Sequence, residues 1–330
     1  MRTSTTAFDL RLENFGPGIE FFAPGLKKWE TSEWKPTNPR RFLPISVTGS
    51  ACALSCDHCQ TKVLDGMISV KADENLYALA NRLKQSGTDG LLVSGGSGKS
   101  GGVPLLRHLG DIQRIREELQ MKVVVHSGVV DPETAAGLAR VGVDGVMLDI
   151  IGANETIHDV YHLDLTTESF EKSLSLLAEQ ELRIIPHIVL GMHYGKFLGE
   201  YNALEMISRY PVSTLIVVVL VPLVGTPMEH IPPPPIDECT EFFETARLAL
   251  PNTKLNLGCG RPMGATKIAL DEAAVDYGFN GIAYPAEGII DYAREKGLDP
   301  DMYEYCCSLT WVGGDGVSYS SVALENPVLA

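Results

Sequence analysis

Short apolar runs rich in β-branched residues alternate along most of the chain with segments whose apolar residues recur at helical spacing. Buried parallel strands contain such continuous apolar runs, and amphipathic helices show the longer period, so the pattern predicts repeated βα units. The predicted strands are Phe42–Thr48, Gly90–Gly95, Lys122–Ser127, Gly145–Ile150, Arg183–Leu190, Thr214–Val221, Lys254–Leu257 and Gly281–Tyr284. The predicted helices are Asp73–Gln85, Pro104–Leu119, Pro132–Val141, Thr167–Glu179, Glu200–Arg209, Ile236–Leu248, Ala265–Tyr277 and Glu287–Lys296.

Eight strands with crossover helices close most simply into a (β/α)8 TIM-type barrel, an α/β fold whose active site lies at the carboxyl ends of the strands. The barrel is predicted to span residues 42–297. Residues 1–41 form an N-terminal extension, and residues 298–330 form a cysteine-containing C-terminal tail that is a candidate segment for an auxiliary cluster. No low-complexity linker indicates a second domain.

Composition narrows the class of protein. The chain has 330 residues, 45% of them hydrophobic, which is enough for a large core. No apolar run has the length of a membrane span and the first residues are polar, so we expect a cytoplasmic protein with no membrane partner. The net charge of −15 argues against nucleic acid as a partner.

The cysteines carry the candidate chemistry. Seven cysteines, an odd number, in a chain without secretory features indicate reduced thiols rather than a disulfide framework. Three of them, Cys52, Cys56 and Cys59, are spaced C-x3-C-x2-C directly after the first predicted strand. Three thiolates in so short a loop suit a [4Fe–4S] cluster and leave one iron free to bind a small molecule. The alternatives are part of a zinc site or ordinary buried cysteines.

This spacing, with the aromatic residue His58 before the last cysteine, resembles the cluster loop of the radical S-adenosylmethionine (radical SAM) enzymes. The resemblance implies two cofactors, a [4Fe–4S] cluster and S-adenosyl-L-methionine. It also implies that a 5′-deoxyadenosyl radical, rather than a catalytic side chain, abstracts hydrogen from the substrate.

Cofactor contacts are expected at the strand ends. After the second strand come Ser94, Gly95 and Gly96, where the family often carries a Gly-Gly-Glu motif, although Ser97 stands in place of the acid. The two glycines permit close backbone approach to a ligand.

Two later strand ends add to these contacts. Asp149 lies near the end of the fourth predicted strand, where a carboxylate can accept both ribose hydroxyls of S-adenosylmethionine; a capping or salt-bridging role is the alternative. Gly191 lies in a segment, His187–His193, that is similar to the family's adenine-facing segment.

The last third resembles the biotin synthase group of this superfamily, in Leu220–Met228, Gly258–Gly264 and Gly281–Pro285. Within that group the chain is most similar to one component of the two-protein lipoyl synthases, including the tail that contains Cys306 and Cys307. The cysteines that hold the second cluster of biotin synthase have no counterpart, because the corresponding strand ends contain His126 and His187. That difference argues against biotin synthesis.

Cys259, beyond the seventh strand, and Cys306 with Cys307 in the tail are therefore candidate ligands of a second iron–sulfur cluster. The alternative is that all three are structural. The sequence leaves the fourth ligand open among a substrate, sulfide and the side chains of Arg261, Ser308, Ser318, Ser320 and Ser321.

The resemblance implies sulfur insertion into an unactivated C–H bond of a protein-bound octanoyl group, that is, lipoyl synthesis by a radical SAM sulfurtransferase. The implied partners are an octanoylated carrier protein or lipoyl domain, a related radical SAM protein, and a reductant such as ferredoxin or flavodoxin. Two alternatives stay open: a radical SAM mutase or lyase acting on a small metabolite, and a non-catalytic iron–sulfur electron carrier or redox sensor.

Overall fold

The computed structural model describes residues 5–310. Within that range, eleven strands form one entirely parallel sheet in the order β11-β1-β10-β9-β8-β7-β6-β5-β4-β2-β3. The strands are Gly18–Phe22 (β1), Phe42–Ser46 (β2), Ile68–Ser69 (β3), Gly90–Ser94 (β4), Lys122–His126 (β5), Gly145–Asp149 (β6), Ile184–Leu190 (β7), Thr214–Val219 (β8), Lys254–Leu257 (β9), Gly281–Ala283 (β10) and Asp299–Tyr303 (β11).

Helices follow most of the strands and cover the sheet. They are Thr6–Phe15 (α1), Leu76–Gln85 (α2), Leu109–Glu117 (α3), Pro132–Val141 (α4), Asn154–Asp159 (α5), Thr167–Glu179 (α6), Glu200–Ser208 (α7), Ile236–Ala249 (α8), Ala265–Asp276 (α9) and Ile289–Glu295 (α10), with 3-10 helices at Lys62–Gly66 and Leu105–His108.

Local sequence explains how these helices are bounded, and α4 is an example. The side chain of Asp131 accepts a hydrogen bond from the Thr134 N–H at 2.7 Å, and Pro132 occupies the first turn, where its missing N–H is not needed. Gly142 ends the helix in the left-handed conformation that favours glycine. These signals place α4 where the sequence predicts it.

The predicted α/β class with TIM-type βα repeats is confirmed, and all eight predicted strands are present with ends that differ by no more than two residues. Two features differ from the prediction. The sheet stays open, since β11 and β3 are its edges rather than paired neighbours among residues 5–310. The segments placed outside the repeat also contribute strands, because β1 pairs with both β10 and β11.

The candidate site lies at the carboxyl ends of strands in the half of the sheet that ends at β3. The strands there are buried on both faces; all five residues of β2 are buried, for example. No helix among the described residues is long and apolar enough to cross a membrane. The cytoplasmic location stays a prediction.

Candidate radical SAM site

A cavity of about 350 Å³ opens at the carboxyl ends of β2, β4, β5 and β6. The three cysteines of the C-x3-C-x2-C loop line it together with His58. Its other polar or backbone walls come from the strand ends, namely Ser94, Gly95, Gly96, Ser97, His126, Gly128 and Asp149. The volume lies within the range of small-molecule sites, which is about 300–1,000 Å³.

The cysteine loop brings the Cys56 and Cys59 thiols close together. Interaction with Cys56 lowers the pKa of Cys59 to about 4, and interaction with Cys59 raises the pKa of Cys56. The Cys56 thiol donates to the Tyr161 carbonyl oxygen at 3.7 Å. Cys56 and Cys59 are buried and Cys52 is half-buried, and none of the three is in a disulfide. Clustered, disulfide-free thiols, one of them with a lowered pKa, are the kind of donor set that an iron–sulfur cluster requires.

The loop is held by a side chain that the sequence analysis missed, Asp57. Its carboxylate accepts a hydrogen bond from the Tyr194 hydroxyl at 2.7 Å and lies 2.9 Å from Nε2 of His162. The Asp57 N–H also donates to the Val160 carbonyl oxygen at 2.9 Å. Burial and the Asp57 carboxylate raise the pKa of Tyr194 to about 12, so this hydroxyl remains a donor. Asp57 thus ties the cysteine loop to α5 and to the segment after β7.

The glycines after β4 allow that strand end to touch the cysteine loop. A Cβ on Gly96 would lie 2.1 Å from the Ala51 carbonyl oxygen and 2.6 Å from Cα of Cys52. The Gly96 N–H donates a hydrogen bond to Oγ1 of Thr48 at 2.7 Å, which holds this backbone beside the segment that leads into the cysteine loop. Gly95 is also confined, since a Cβ there would lie 2.9 Å from Oγ1 of Thr48. Both glycines line the cavity where close backbone approach is predicted.

Asp149 ends β6 facing the cavity, next to His126 of β5 and His187 of β7. Nε2 of His126 lies 3.7 Å from Oδ1 of Asp149, and the two imidazole centroids are 5.5 Å apart. Burial opposes ionisation of Asp149, but interaction with the nearby His126 outweighs it and lowers the pKa of Asp149 to about 2. Burial, followed by the charge of His126, lowers the pKa of His187 to about 4. At neutral pH this wall of the cavity therefore carries a carboxylate beside an uncharged His187.

Of the remaining residues predicted to contact the cofactor, His58 and Ser94 line the cavity and Gly191 does not. His58 packs its ring 5.0 Å from that of Tyr161, and Ser94 donates to the His126 carbonyl oxygen at 3.0 Å. Both line the cavity. Gly191 does not line it; its N–H donates to Oε1 of the buried Glu200 at 2.9 Å. Its contact with S-adenosylmethionine stays a prediction.

The tail places two more thiols in the interior. Cys306 and Cys307 are buried, and a hydrogen bond from the Cys307 thiol lowers the pKa of Cys306 to about 7. The neighbouring Ser308 lowers that pKa further. Desolvation and then the nearby Cys306 thiol raise the pKa of Cys259, which places the exposed Cys259 within electrostatic reach of the pair. The backbone carbonyl of Cys307 accepts from the Asn256 side chain at 2.7 Å, which fixes the tail to β9.

Arg261, one of the candidate fourth ligands, has a different role. Its buried guanidinium forms two hydrogen bonds to the Asp271 carboxylate, at 2.6 and 3.0 Å, and donates to the carbonyl oxygens of Gly258 and Tyr284. All three guanidinium nitrogens are therefore engaged, which argues against cluster ligation by this side chain. Lys267 joins the network 3.1 Å from Asp271. Ser318, Ser320 and Ser321 lie outside the described residues.

The residues present fit the two implied cofactors. The donor chemistry of the three thiols suits a [4Fe–4S] cluster, and the cavity beside them has glycine backbone on one wall and the Asp149 carboxylate on another. These are groups that bind a small polar ligand through backbone and carboxylate hydrogen bonds.

Comparisons with known sequences point the same way. The sequence profile of the Radical SAM superfamily matches residues 46–197. The biotin synthase of Chlorobium phaeovibrioides is 28% identical over 174 residues, which cover 52% of this chain and 52% of that protein. The biotin synthase of Cenarchaeum symbiosum is 30% identical over 178 residues, again 52% of each protein. These matches span about half the length of the curated relatives.

Solved structures share the fold. Methylornithine synthase superposes with a TM-score of 0.57 at 12% identity, covering 89% of this chain and 87% of that one. The FeFe-hydrogenase maturase HydG from Carboxydothermus hydrogenoformans gives 0.61 at 15% identity, covering 89% and 70%. Residues 46–197 are thus similar to the Radical SAM superfamily, with biotin synthase-like homologues at low identity, and the solved structures share the fold of this chain.

Proposed function

We propose that this protein is a radical SAM sulfurtransferase that inserts sulfur into an unactivated C–H bond of a protein-bound octanoyl group, on the route to lipoyl groups. The match of residues 46–197 to the Radical SAM superfamily supports the radical part of the proposal. The observation that carries the sulfur part is the buried, disulfide-free pair Cys306 and Cys307 with Cys259 in electrostatic reach. Hydrogen abstraction alone needs no such group.

The cavity residues bind and orient in this proposal. Cys52, Cys56 and Cys59 hold the cluster, and Asp57 keeps their loop against α5. Gly95 and Gly96 let backbone approach the cofactor, and Asp149 accepts hydrogen bonds from its ribose. Once bound, the cluster and S-adenosylmethionine supply the radical that abstracts a hydrogen atom from the substrate.

The three remaining site cysteines hold the sulfur source in this proposal. Replacing C–H by C–S requires a sulfur source within reach of the substrate carbon, because placement of the reacting atoms governs such steps. Cys259, Cys306 and Cys307 are soft ligands that suit a second, sacrificial iron–sulfur cluster. The thiol pKa of about 7 at Cys306 favours a thiolate ligand there.

The proposal includes partners. The substrate is an octanoylated carrier protein or lipoyl domain, a related radical SAM protein completes the reaction, and ferredoxin or flavodoxin supplies electrons. Neither nucleic acid nor a membrane takes part.

A second candidate is biotin-synthase-type sulfur insertion into a small metabolite, which the names of the relatives favour. A radical SAM mutase or lyase is a third, and it needs no second cluster. The three differ in substrate and in the need for the tail cysteines.

The test combines product analysis with iron counting. The anaerobically reconstituted protein is given reductant, S-adenosylmethionine and an octanoyl-lysyl peptide, with and without a related partner protein. We expect mass spectra to show that sulfur is added to the peptide. Cys306→Ala/Cys307→Ala should lose about one cluster's worth of iron per chain and keep cofactor cleavage while losing sulfur transfer.

Cys239→Ala is the matched control, because Cys239 is buried in α8 away from both groups and its loss should leave the iron content unchanged. A double variant with full iron content that still makes thiolated product contradicts the sacrificial cluster. Sulfur addition to a small metabolite but not to the peptide favours the second candidate.

A further inference from the structure

His126, Asp149 and His187 form a second potential metal-binding group in the same cavity wall. One ligand atom from each, two imidazole nitrogens and a carboxylate oxygen, lies within 4.8 Å of the other two. None of the three belongs to either cysteine group. We propose that they bind one divalent transition-metal ion, of the iron(II) or zinc(II) class, separately from the iron–sulfur chemistry.

Strand register explains why the three side chains converge. Asp149 and His187 are direct neighbours across the β6–β7 pair, and His126 is the neighbour of Met147, two residues before Asp149. Residues two apart on a strand point to the same face, so all three project to one side of the sheet. Rigid central strands, rather than loops, thus carry the group.

The distances are close to those that a metal needs. Nε2 of His126 and Oδ1 of Asp149 are 3.7 Å apart. Two ligands about 2.1 Å from a tetrahedral ion stand roughly 3.4 Å apart. Small side-chain rotations therefore suffice to close the group around an ion.

The backbone carbonyl of Ile185 orients the imidazole of His187. Its Nδ1 lies 3.1 Å from the Ile185 carbonyl oxygen, which can only accept, so Nδ1 carries the proton and Nε2 keeps a free lone pair. A backbone carbonyl that fixes the tautomer of a histidine ligand is a common feature of protein metal sites. The Ser94 hydroxyl fixes β5 in a related way, because it donates to the His126 carbonyl oxygen at 3.0 Å.

The donor set also indicates which ions bind. Two imidazoles and one carboxylate suit iron(II) and zinc(II), and three protein ligands leave coordination positions open. His126 and Asp149 line the cavity shared with the cysteine loop, so the open positions face a small-molecule ligand there. A carboxylate has two oxygens, so ligation through Oδ1 leaves the other for the proposed ribose contact.

The test uses zinc, because X-ray absorption at the zinc edge is insensitive to the iron of the clusters. The reconstituted protein is incubated with Zn²⁺, desalted and analysed for zinc content and for zinc–ligand distances. We expect the wild type to bind about one zinc more per chain than His126→Ala/His187→Ala, with that zinc at the nitrogen and oxygen distances of about 2.0–2.2 Å. His126→Gln, which keeps side-chain bulk, should show the same loss.

His230→Ala is the control, since His230 is an exposed histidine outside the group and its loss should not change the zinc content. Iron content and circular dichroism establish that the variants are folded and keep the Cys52 loop occupied. Equal zinc content in the wild type and the double-histidine variant overturns the inference. So does zinc found only at the sulfur distance of about 2.3 Å, because the cysteines would then hold it. Neither result depends on whether the protein transfers sulfur.

Discussion

Gly96→Ala should disable cofactor cleavage without unfolding the protein. The added methyl carbon would lie 2.1 Å from the Ala51 carbonyl oxygen and 2.6 Å from Cα of Cys52, whereas ordinary contacts begin near 3.4 Å. Both obstacles are backbone, so a side-chain rotation cannot relieve them. The cysteine loop and the end of β4 must therefore separate by more than 1 Å.

The size of the effect follows from that displacement. Overpacking of this kind destabilises proteins by roughly 1–3 kcal/mol, which a domain of this size tolerates. A misplacement of about 1 Å at a reacting centre can lower a rate about 100-fold. We therefore expect about a 100-fold slower formation of 5′-deoxyadenosine, measured by liquid chromatography, with a thermal unfolding midpoint only a few degrees lower.

Gly98→Ala is the matched control in the same loop, because its nearest obstacle is the Gly102 carbonyl oxygen at 3.7 Å. We expect its rate to stay close to that of the wild type. If Gly96→Ala cleaves the cofactor as fast as Gly98→Ala, the contact between the β4 glycines and the cysteine loop has no part in building the site.

Three further predictions concern the ribose contact, the buried ion network and a buried carboxyl group. Asp149→Ala should weaken S-adenosylmethionine binding by roughly 1–3 kcal/mol, measured by equilibrium binding, while the Cys52 loop keeps its cluster; unchanged affinity would remove the ribose assignment. Asp271→Ala leaves the buried cations Arg261 and Lys267 unpaired and should lower the free energy of unfolding in urea by about 3–5 kcal/mol. The control Asp291→Ala removes a more exposed ion pair with Arg294 and should cost about 0–1 kcal/mol. Similar losses in the two variants would refute the role of the buried network. Burial raises the pKa of Glu200, so its carboxyl group increasingly destabilises the folded state as the pH rises above about 4.3, the pKa of an unperturbed Glu. Glu200→Gln lacks this penalty, so its thermal unfolding midpoint should increase relative to that of the wild type between acidic and neutral pH. A difference that does not change with pH would contradict this.

Periodicity and spacing predict the parts of this protein that are encoded locally. Each central strand is one apolar run, and the C-x3-C-x2-C loop is contiguous, so both are visible in the sequence. The strand ends then follow from the rule that parallel strands present their carboxyl ends at one edge, and this places Gly96 and Asp149 in the cavity.

The rest depends on contacts between distant residues. β11 contains Pro300 and two aspartates, a composition typical of edges and loops, so only its pairing with β1 defines it as a strand. Asp57 reaches Tyr194 across 137 residues, and no local pattern indicates such a bond. Arg261 resembles a ligand in sequence because it lies two residues from Cys259, yet its partner Asp271 on α9 determines its role.

The central claim is that the Cys52 loop holds the cluster that cleaves S-adenosylmethionine. The most direct test is 5′-deoxyadenosine formation by the reduced, reconstituted wild type and by Cys52→Ala/Cys56→Ala/Cys59→Ala, with Cys239→Ala as the control. We expect cleavage by the wild type and by the control, and none by the triple variant, because a cluster without its thiolate ligands cannot be retained. Cleavage by the triple variant at the wild-type rate would contradict the account.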